Sequence, residues 1–116
     1  MKGRSGMATK VKIDAGICGF HTTACVSSED SQHVTFDIQS DCGKIRAVAE
    51  LLKRQGEIDA YQEIGPNAPS IVLSASAGVL KGCCAACAVP VGLFKGMQIA
   101  AGLALPKEIQ IQFCRE

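Results

Sequence analysis

Three short runs in the first third of the chain alternate between apolar and polar residues. In residues 9–17, Val11 and Ile13 alternate with lysines. Residues 21–28 are rich in β-branched types, and residues 32–39 alternate again. A period of two is typical of strands with one buried face. Because short turn-forming stretches join the runs, the sequence predicts an antiparallel meander.

Helical patterns follow the meander. Apolar residues recur on one side of residues 42–55, which end before a glycine. Residues 70–81 fit either a helix or a strand, and their apolar density favours the helix. Pro90 suits the first turn of a further helix that runs to about residue 103. Only a short helical turn is expected between the first two helices, near residues 60–64.

The last residues alternate once more. In residues 108–114, Ile109, Ile111 and Phe113 share one face, and this pattern predicts a final strand that joins the sheet. The fold class is therefore α+β: a two-layer sandwich in which an antiparallel meander carries helices on one face and gains a C-terminal strand. We expect one domain over residues 9–116, preceded by a disordered or tag-like segment, residues 1–8.

Composition limits the partners of such a domain. The 116 residues have a formal net charge of +1 and 4% aromatic residues, and this balance predicts no nucleic-acid interface. The longest apolar stretch, residues 85–105, is interrupted by Pro90, Lys95 and glycines, so it predicts a buried helix and no membrane partner. The basic start has no apolar run after it, so we expect a cytoplasmic protein. Its seven cysteines are then expected to be reduced.

The positions of the cysteines suggest a shared site. Cys18 follows the first predicted strand, and Cys42 lies where the third strand ends and a helix begins. In a meander these two strand ends lie at the same end of the sheet, because the second strand runs back between them. Cys84 and Cys87 precede the last helix, so they join the others if that helix begins at the same end.

This set of residues fits metal chemistry. Cys84 and Cys87 have the C-x-x-C spacing that suits zinc or an iron–sulfur cluster. Predicted helix starts beside the cysteines favour the thiolate, which is both the metal ligand and the nucleophile. His21 lies close to Cys18 and is the candidate that completes the ligand set, with Asp14 and Asp41 as further candidates.

The same arrangement resembles the U-type iron–sulfur cluster assembly scaffolds (the IscU and NifU N-terminal type). In that family Cys-Gly pairs follow the first and third strands and a third cysteine precedes a late helix. Cys18-Gly19, Cys42-Gly43 and Cys87 hold the matching places, whereas Phe20 and Ala86 stand where the family usually has an acidic residue and a histidine. The chain also resembles small cysteine-containing families that have no known function.

Three hypotheses follow for the function. The first is a scaffold, carrier or sensor that binds a metal ion or an iron–sulfur cluster through Cys18, Cys42, Cys84 and Cys87 with His21, and that acts with a protein partner rather than as an enzyme. The second is a thiol redox or sulfur-transfer protein that uses Cys84 and Cys87. The third is a structural or protein-interaction domain in which the cysteines only fill the core.

Overall fold

The computed structural model describes residues 7–67 and 69–115. It contains a four-stranded antiparallel sheet with the strand order β1-β2-β3-β4, and it confirms the α+β class. The strands are β1 (Met7–Asp14), β2 (His21–Ser28), β3 (His33–Ser40) and the two-residue β4 (Ile58–Asp59). The helices are α1 (Gly43–Gln55), α2 (Ala60–Ile64), α3 (Ile71–Val79) and α4 (Val89–Ala100), and a 3-10 helix covers Gly82–Ala86.

Alternation along the strands divides the sheet into two faces. Ala24 and Val26 of β2 and Val34 of β3 are fully buried, whereas Cys25, between the first two, is exposed. Register keeps the faces continuous, because Val11 of β1 lies opposite Ala24. One face therefore enters the core and the other meets solvent, as the period of two predicts.

The helices cover the core face of the sheet. α1 packs against β3, α4 packs against β1 and β2, and α3 lies against both α1 and α4. The predicted helices over residues 42–55 and 70–81 and the short turn near residues 60–64 are confirmed. Burial removes the largest apolar side chains from water, which supplies most of the driving force for folding; the largest buried side chains are Ile45, Leu52, Ile58, Leu93 and Met97.

Two glycines allow α4 to lie directly on β1. A Cβ atom at Gly92 would come within 2.5 Å of Ile13 Cδ1, and one at Gly96 within 2.6 Å of Val11 Cγ2. Glycine therefore permits a close approach that any larger residue would prevent. Since Gly92 faces the end of β1 and Gly96 its middle, α4 runs antiparallel to β1.

The predicted C-terminal strand is wrong for this chain's own sheet. Residues 104–115 have no regular secondary structure, and Ile109, Ile111 and Phe113 are exposed. A period of two shows that a segment suits a strand, but it does not supply a neighbouring strand to pair with. The first strand also differs from the prediction: it spans Met7–Asp14 rather than residues 9–17. Residues 1–6 of the expected tag-like segment lie outside the described residues.

One segment is long and apolar enough to cross a membrane. Within the part of the chain that the structure describes, this is Gly82–Ala100, with a mean hydropathy of 1.5 and 28% of the stretch buried. It consists of the 3-10 helix, residues 87–88 and the 12-residue α4, and α4 alone is shorter than the about 20 residues that a membrane span needs. The core helix of a soluble protein passes the same test, so the segment is weak evidence for a span.

Candidate functional site

The cysteine-bearing segments approach one end of the sheet. Asp14 at the end of β1 pairs with His21 at the start of β2, and Thr22 pairs with Ser40 at the end of β3. α1 begins directly after β3, and Gly92 in the first turns of α4 lies against Ile13. The prediction that the ends of β1 and β3 lie at the same end of the sheet is confirmed. We call this region, with the 3-10 helix that precedes α4, the cysteine end.

Cys18 lies at the tip of the β1–β2 turn. Gly16 and Gly19 flank the tip with φ angles of 92° and 77°, a left-handed conformation that favours glycine. Gly19 N donates to Gly16 O at 2.9 Å and closes the turn. Both Cys18 and the neighbouring Ile17 are exposed, so this thiol faces solvent.

His21 lies between two carboxylates. Its Nε2 is 3.7 Å from Asp14 Oδ2, and its Nδ1 is 4.0 Å from Asp41 Oδ2. The backbone N–H of His21 also donates to Asp41 Oδ2 at 3.3 Å. All three side chains are about two-thirds exposed. The structure therefore places His21 in an exposed row with the other two candidate oxygen ligands.

Cys42 is the residue at which α1 begins. Its backbone N–H donates to Ser40 Oγ at 3.0 Å, and its carbonyl accepts from Arg46 N at 2.9 Å. The thiol makes no capping hydrogen bond, and the residue is half-buried against the hydrophobic core. Cys42 is thus the N-cap residue of α1 through its backbone carbonyl alone, and its sulfur takes no part in the cap.

Cys84 and Cys87 are joined by one tight turn. Cys87 N donates to Cys84 O at 3.1 Å at the end of the 3-10 helix. In such a helix the side chains three residues apart lie above one another. Both residues are half-buried and pack against the core, whereas the adjacent Cys83 is exposed. The C-x-x-C spacing therefore has the compact backbone that a dithiol requires.

A lysine from α1 reaches this turn. Lys44 Nζ donates to Cys84 Sγ at 3.4 Å. An ammonium group beside a thiol stabilises negative charge on the sulfur. The sequence pattern did not single out Lys44, because its proximity depends on the packing of α1 beside a segment 40 residues later; its position in the first turn after Cys42 is the only local signal.

Cys87 also borders a groove. This open groove, of about 590 Å³, lies between α3 and the start of α4. Its walls are mostly apolar, with Lys81 at one side; they include Leu73, Ala77, Leu80, Ala85, Pro90 and Val91. Cys87 is therefore one of the polar residues in a mostly apolar groove.

The predicted ligands do not form a single group. Across residues 7–67 and 69–115, the structure contains no group of three or more histidine, cysteine, aspartate or glutamate side chains arranged to hold a metal ion. It instead joins Cys84 to Cys87 in one turn, and His21 to two carboxylates. Metal binding by Cys18, Cys42, Cys84, Cys87 and His21 remains a prediction.

Family comparison agrees with one expectation from the sequence. A family model described as a family of unknown function, DUF6951, matches residues 9–113. The chain belongs to DUF6951. No curated protein and no solved structure matches the chain. These comparisons support the resemblance to a small family without known function, and they add no support to the resemblance to U-type cluster scaffolds.

Proposed function

We propose that this DUF6951 domain is a thiol–disulfide exchange protein in which Cys84 and Cys87 form the redox-active dithiol. The observation that carries the proposal is the 3.4 Å contact between Lys44 Nζ and Cys84 Sγ, made within a C-x-x-C turn. The partner is a protein that bears a disulfide.

Backbone geometry favours a reversible bond between these two sulfurs. The hydrogen bond from Cys87 N to Cys84 O closes a four-residue turn, and the Cα atoms at the ends of such a turn lie within about 7 Å. Disulfides join Cα atoms that are about 4.4–6.8 Å apart. The disulfide therefore forms with little movement of the backbone.

The two thiols have different surroundings, and these suggest different roles. Cys87 borders the groove, so it attacks the partner's disulfide. One partner sulfur leaves and takes up a proton, and a mixed disulfide joins Cys87 to the other. Cys84, whose sulfur is in contact with Lys44, then gives up its proton and attacks the Cys87 sulfur. The second partner sulfur leaves with a proton, and two electrons have passed from the Cys84–Cys87 pair to the partner.

Lys44 also assists the reverse direction. When a dithiol of another protein opens the Cys84–Cys87 disulfide by attack on Cys87, Cys84 is the leaving group. A thiol that leaves as a stabilised anion leaves faster. Lys44 Nζ lies beside the sulfur that leaves as an anion, so the contact assists this reverse direction.

Redox titration with mass spectrometry tests the proposal. We expect equilibration in thiol–disulfide buffers to yield an internal disulfide between Cys84 and Cys87, identified in peptides after alkylation of the remaining thiols. Cys84→Ser and Cys87→Ser abolish it, whereas Cys83→Ser, the adjacent exposed control, preserves it. Lys44→Met slows alkylation of Cys84 at neutral pH several-fold, and Lys53→Met on the same helix does not. Failure to form this disulfide across the buffer range contradicts the proposal.

Metal or cluster binding is a second candidate. Cys42, Cys84 and Cys87 are all half-buried against the same core, and the contact of Lys44 with Cys84 joins the first turn of α1 to the C-x-x-C turn. Thiolates are ligands that zinc and iron–sulfur clusters prefer. Under this proposal Cys18 and His21 come from the flanking turn and strand to complete the set.

Anaerobic purification separates the two candidates. Metal analysis and the visible spectrum of the purified chain detect zinc or an iron–sulfur cluster, and Cys42→Ser lowers the bound amount if the metal proposal holds. Cys25→Ser, on the opposite face of the sheet, is the control. A folded, colourless chain that takes up neither zinc nor iron contradicts metal binding and leaves the dithiol proposal unaffected.

A further inference from the structure

Residues 108–114 have the pattern of a strand, but no strand in the described part of the chain pairs with them. Ile109, Ile111 and Phe113 are 53%, 68% and 94% exposed, and they alternate with two glutamines. Large apolar side chains exposed in a row are typical of a surface that another surface covers. Residues 108–114, which we call the tail, are therefore expected to bind another surface.

The outer edge of β1 is such a site. Within residues 7–67 and 69–115, β1 pairs with β2 alone, so no strand of that part of the chain pairs with the backbone N–H and C=O groups on the other side of Met7–Asp14. Val11 and Ile13 face the core but are only half-buried, whereas Ala24 and Val26 on the next strand are fully buried. An added strand would complete both the hydrogen bonding and the burial at this edge.

The tail and the edge match in pattern and charge. With Ile109 opposite Val11, Ile111 faces Thr9 and Phe113 faces Met7, so three apolar side chains extend the core side of β1. In the same register Glu108 lies opposite Lys12, and opposite charges on directly opposed residues stabilise strand pairing. The glutamines then join the polar outer face of the sheet.

Direction decides which copy supplies the tail. α4 runs antiparallel to β1, so the chain leaves α4 beside the start of β1. A tail laid on its own β1 would run parallel to it, whereas every pair in this sheet is antiparallel. Antiparallel pairs are slightly more stable for each residue. A second copy related by a two-fold axis presents its β1 in the antiparallel direction.

We propose that two copies of the chain form a dimer in which each tail adds as an antiparallel strand to β1 of the other copy. Such an exchange is closed and symmetric, since both copies give and receive the same strand. The interface lies on the sheet edge and does not use the Cys84–Cys87 turn, so it is independent of the proposed thiol chemistry.

Sedimentation of the full chain under reducing conditions tests the dimer, with Cys114→Ser excluding disulfide links between tails. We expect a dimer at micromolar concentrations. Ile111→Glu, which places a charge on the core side of the tail, gives a monomer, and the matched outward change Gln112→Glu leaves the dimer intact. A chain ending at Pro106 is also monomeric; if it fails to fold, the comparison of Ile111→Glu with Gln112→Glu decides the matter.

A charge exchange tests the register. Glu108→Lys and Lys12→Glu each weaken the dimer about three-fold, and the double variant restores the wild-type dissociation constant. A chain that stays monomeric at 100 micromolar overturns the proposal, and protection of the tail amides from hydrogen exchange in that monomer would assign the tail to its own sheet. A dimer that survives Ile111→Glu, or one without charge rescue, also contradicts it.

Discussion

The two ends of the sheet use their carboxylates differently. At the end that holds the β2–β3 turn, Asp30 accepts the backbone N–H groups of Gln32 and His33, and Asp59 accepts those of Tyr61 and Gln62 at the start of α2. We call this region, with α2 and the loop to α3, the turn end. At the cysteine end, Asp14 and Asp41 each accept one backbone N–H and are exposed.

The helix starts show the same contrast. α2 and α3 begin with side-chain caps, from Asp59 and Ser70. α1 and α4 begin without a side-chain cap. Carboxylate and hydroxyl side chains at the turn end thus cap the helix starts, whereas at the cysteine end the Asp14 and Asp41 carboxylates are exposed and α1 and α4 begin without a side-chain cap. The difference indicates that the carboxylates of the turn end stabilise the backbone more than those of the cysteine end do.

Substitution of Glu63 is expected to cause the largest loss in the free energy of unfolding. Its buried carboxylate accepts from Ser70 Oγ and from the backbone N–H groups of Ile71 and Val72, at 2.7–2.9 Å. Glu63→Ala leaves the buried N–H of Val72 and two partly buried donors without partners, so we expect a loss of about 2–4 kcal/mol in the free energy of unfolding. Urea denaturation measures it, with the exposed Glu50→Ala as control.

The matching change at the cysteine end is Asp41→Ala, which removes one exposed hydrogen bond. We expect it to lower the free energy of unfolding by less than about 0.5 kcal/mol. Equal losses for Glu63→Ala and Asp41→Ala would contradict the contrast between the two ends.

The next largest change in the free energy of unfolding is expected where α4 packs closely on β1. Gly96→Ala places a methyl group against Val11 and the buried Val26, and the overpacking outweighs the better helix propensity of alanine. We expect a net destabilisation of about 1 kcal/mol by urea denaturation. Gly78→Ala in α3 meets nothing within 4 Å and is expected to stabilise by about 0.5–1 kcal/mol. Rescue of Gly96→Ala by Val11→Ala would identify the contact, and an unchanged stability would show that α4 can shift.

The turn end also gives the smallest effect, which depends on pH. The hydrogen bond from His33 Nδ1 to Asp30 Oδ2, 2.7 Å long, raises the pKa of His33 above 6.5. The backbone N–H of His33 is the main cause that lowers the pKa of Asp30 below 3.8. Because the folded-state pKa of His33 is raised, its contribution is complete below pH 6.5 and is lost as pH rises through that raised pKa. The contribution of Asp30 is present above pH 3.8 and is lost as pH falls.

We therefore expect stability to decrease slightly as pH rises from 6 to 8, and Asp30→Asn to remove most of that decrease. Proton NMR titration of His33 gives the pKa directly: it falls in Asp30→Asn and is unchanged in Asp41→Asn. A His33 titration that does not respond to Asp30→Asn contradicts the assignment of the shift to this pair.

Local patterns in the sequence were sufficient for the meander and for the main helices. Alternation around Val11, Val34 and Phe36 predicts strands because side chains of a strand point alternately to two faces. The hydrogen bonds that Glu63 accepts were not predicted, because a glutamate in a short helical turn gives no sign that amides eight and nine residues later donate to it. Lys44 was missed for the same reason, at a separation of 40 residues.

The sequence by itself determined the α+β class, the faces of the strands and the C-x-x-C spacing, because each depends on residues that are near neighbours in the chain. Only the tertiary structure decided which charged group lies beside Cys84 and that His21 lies between carboxylates. It also decided that the tail, residues 108–114, has no partner in its own sheet. Those features depend on where remote segments pack, and the direction and spacing of that packing are not encoded in any short pattern of residues.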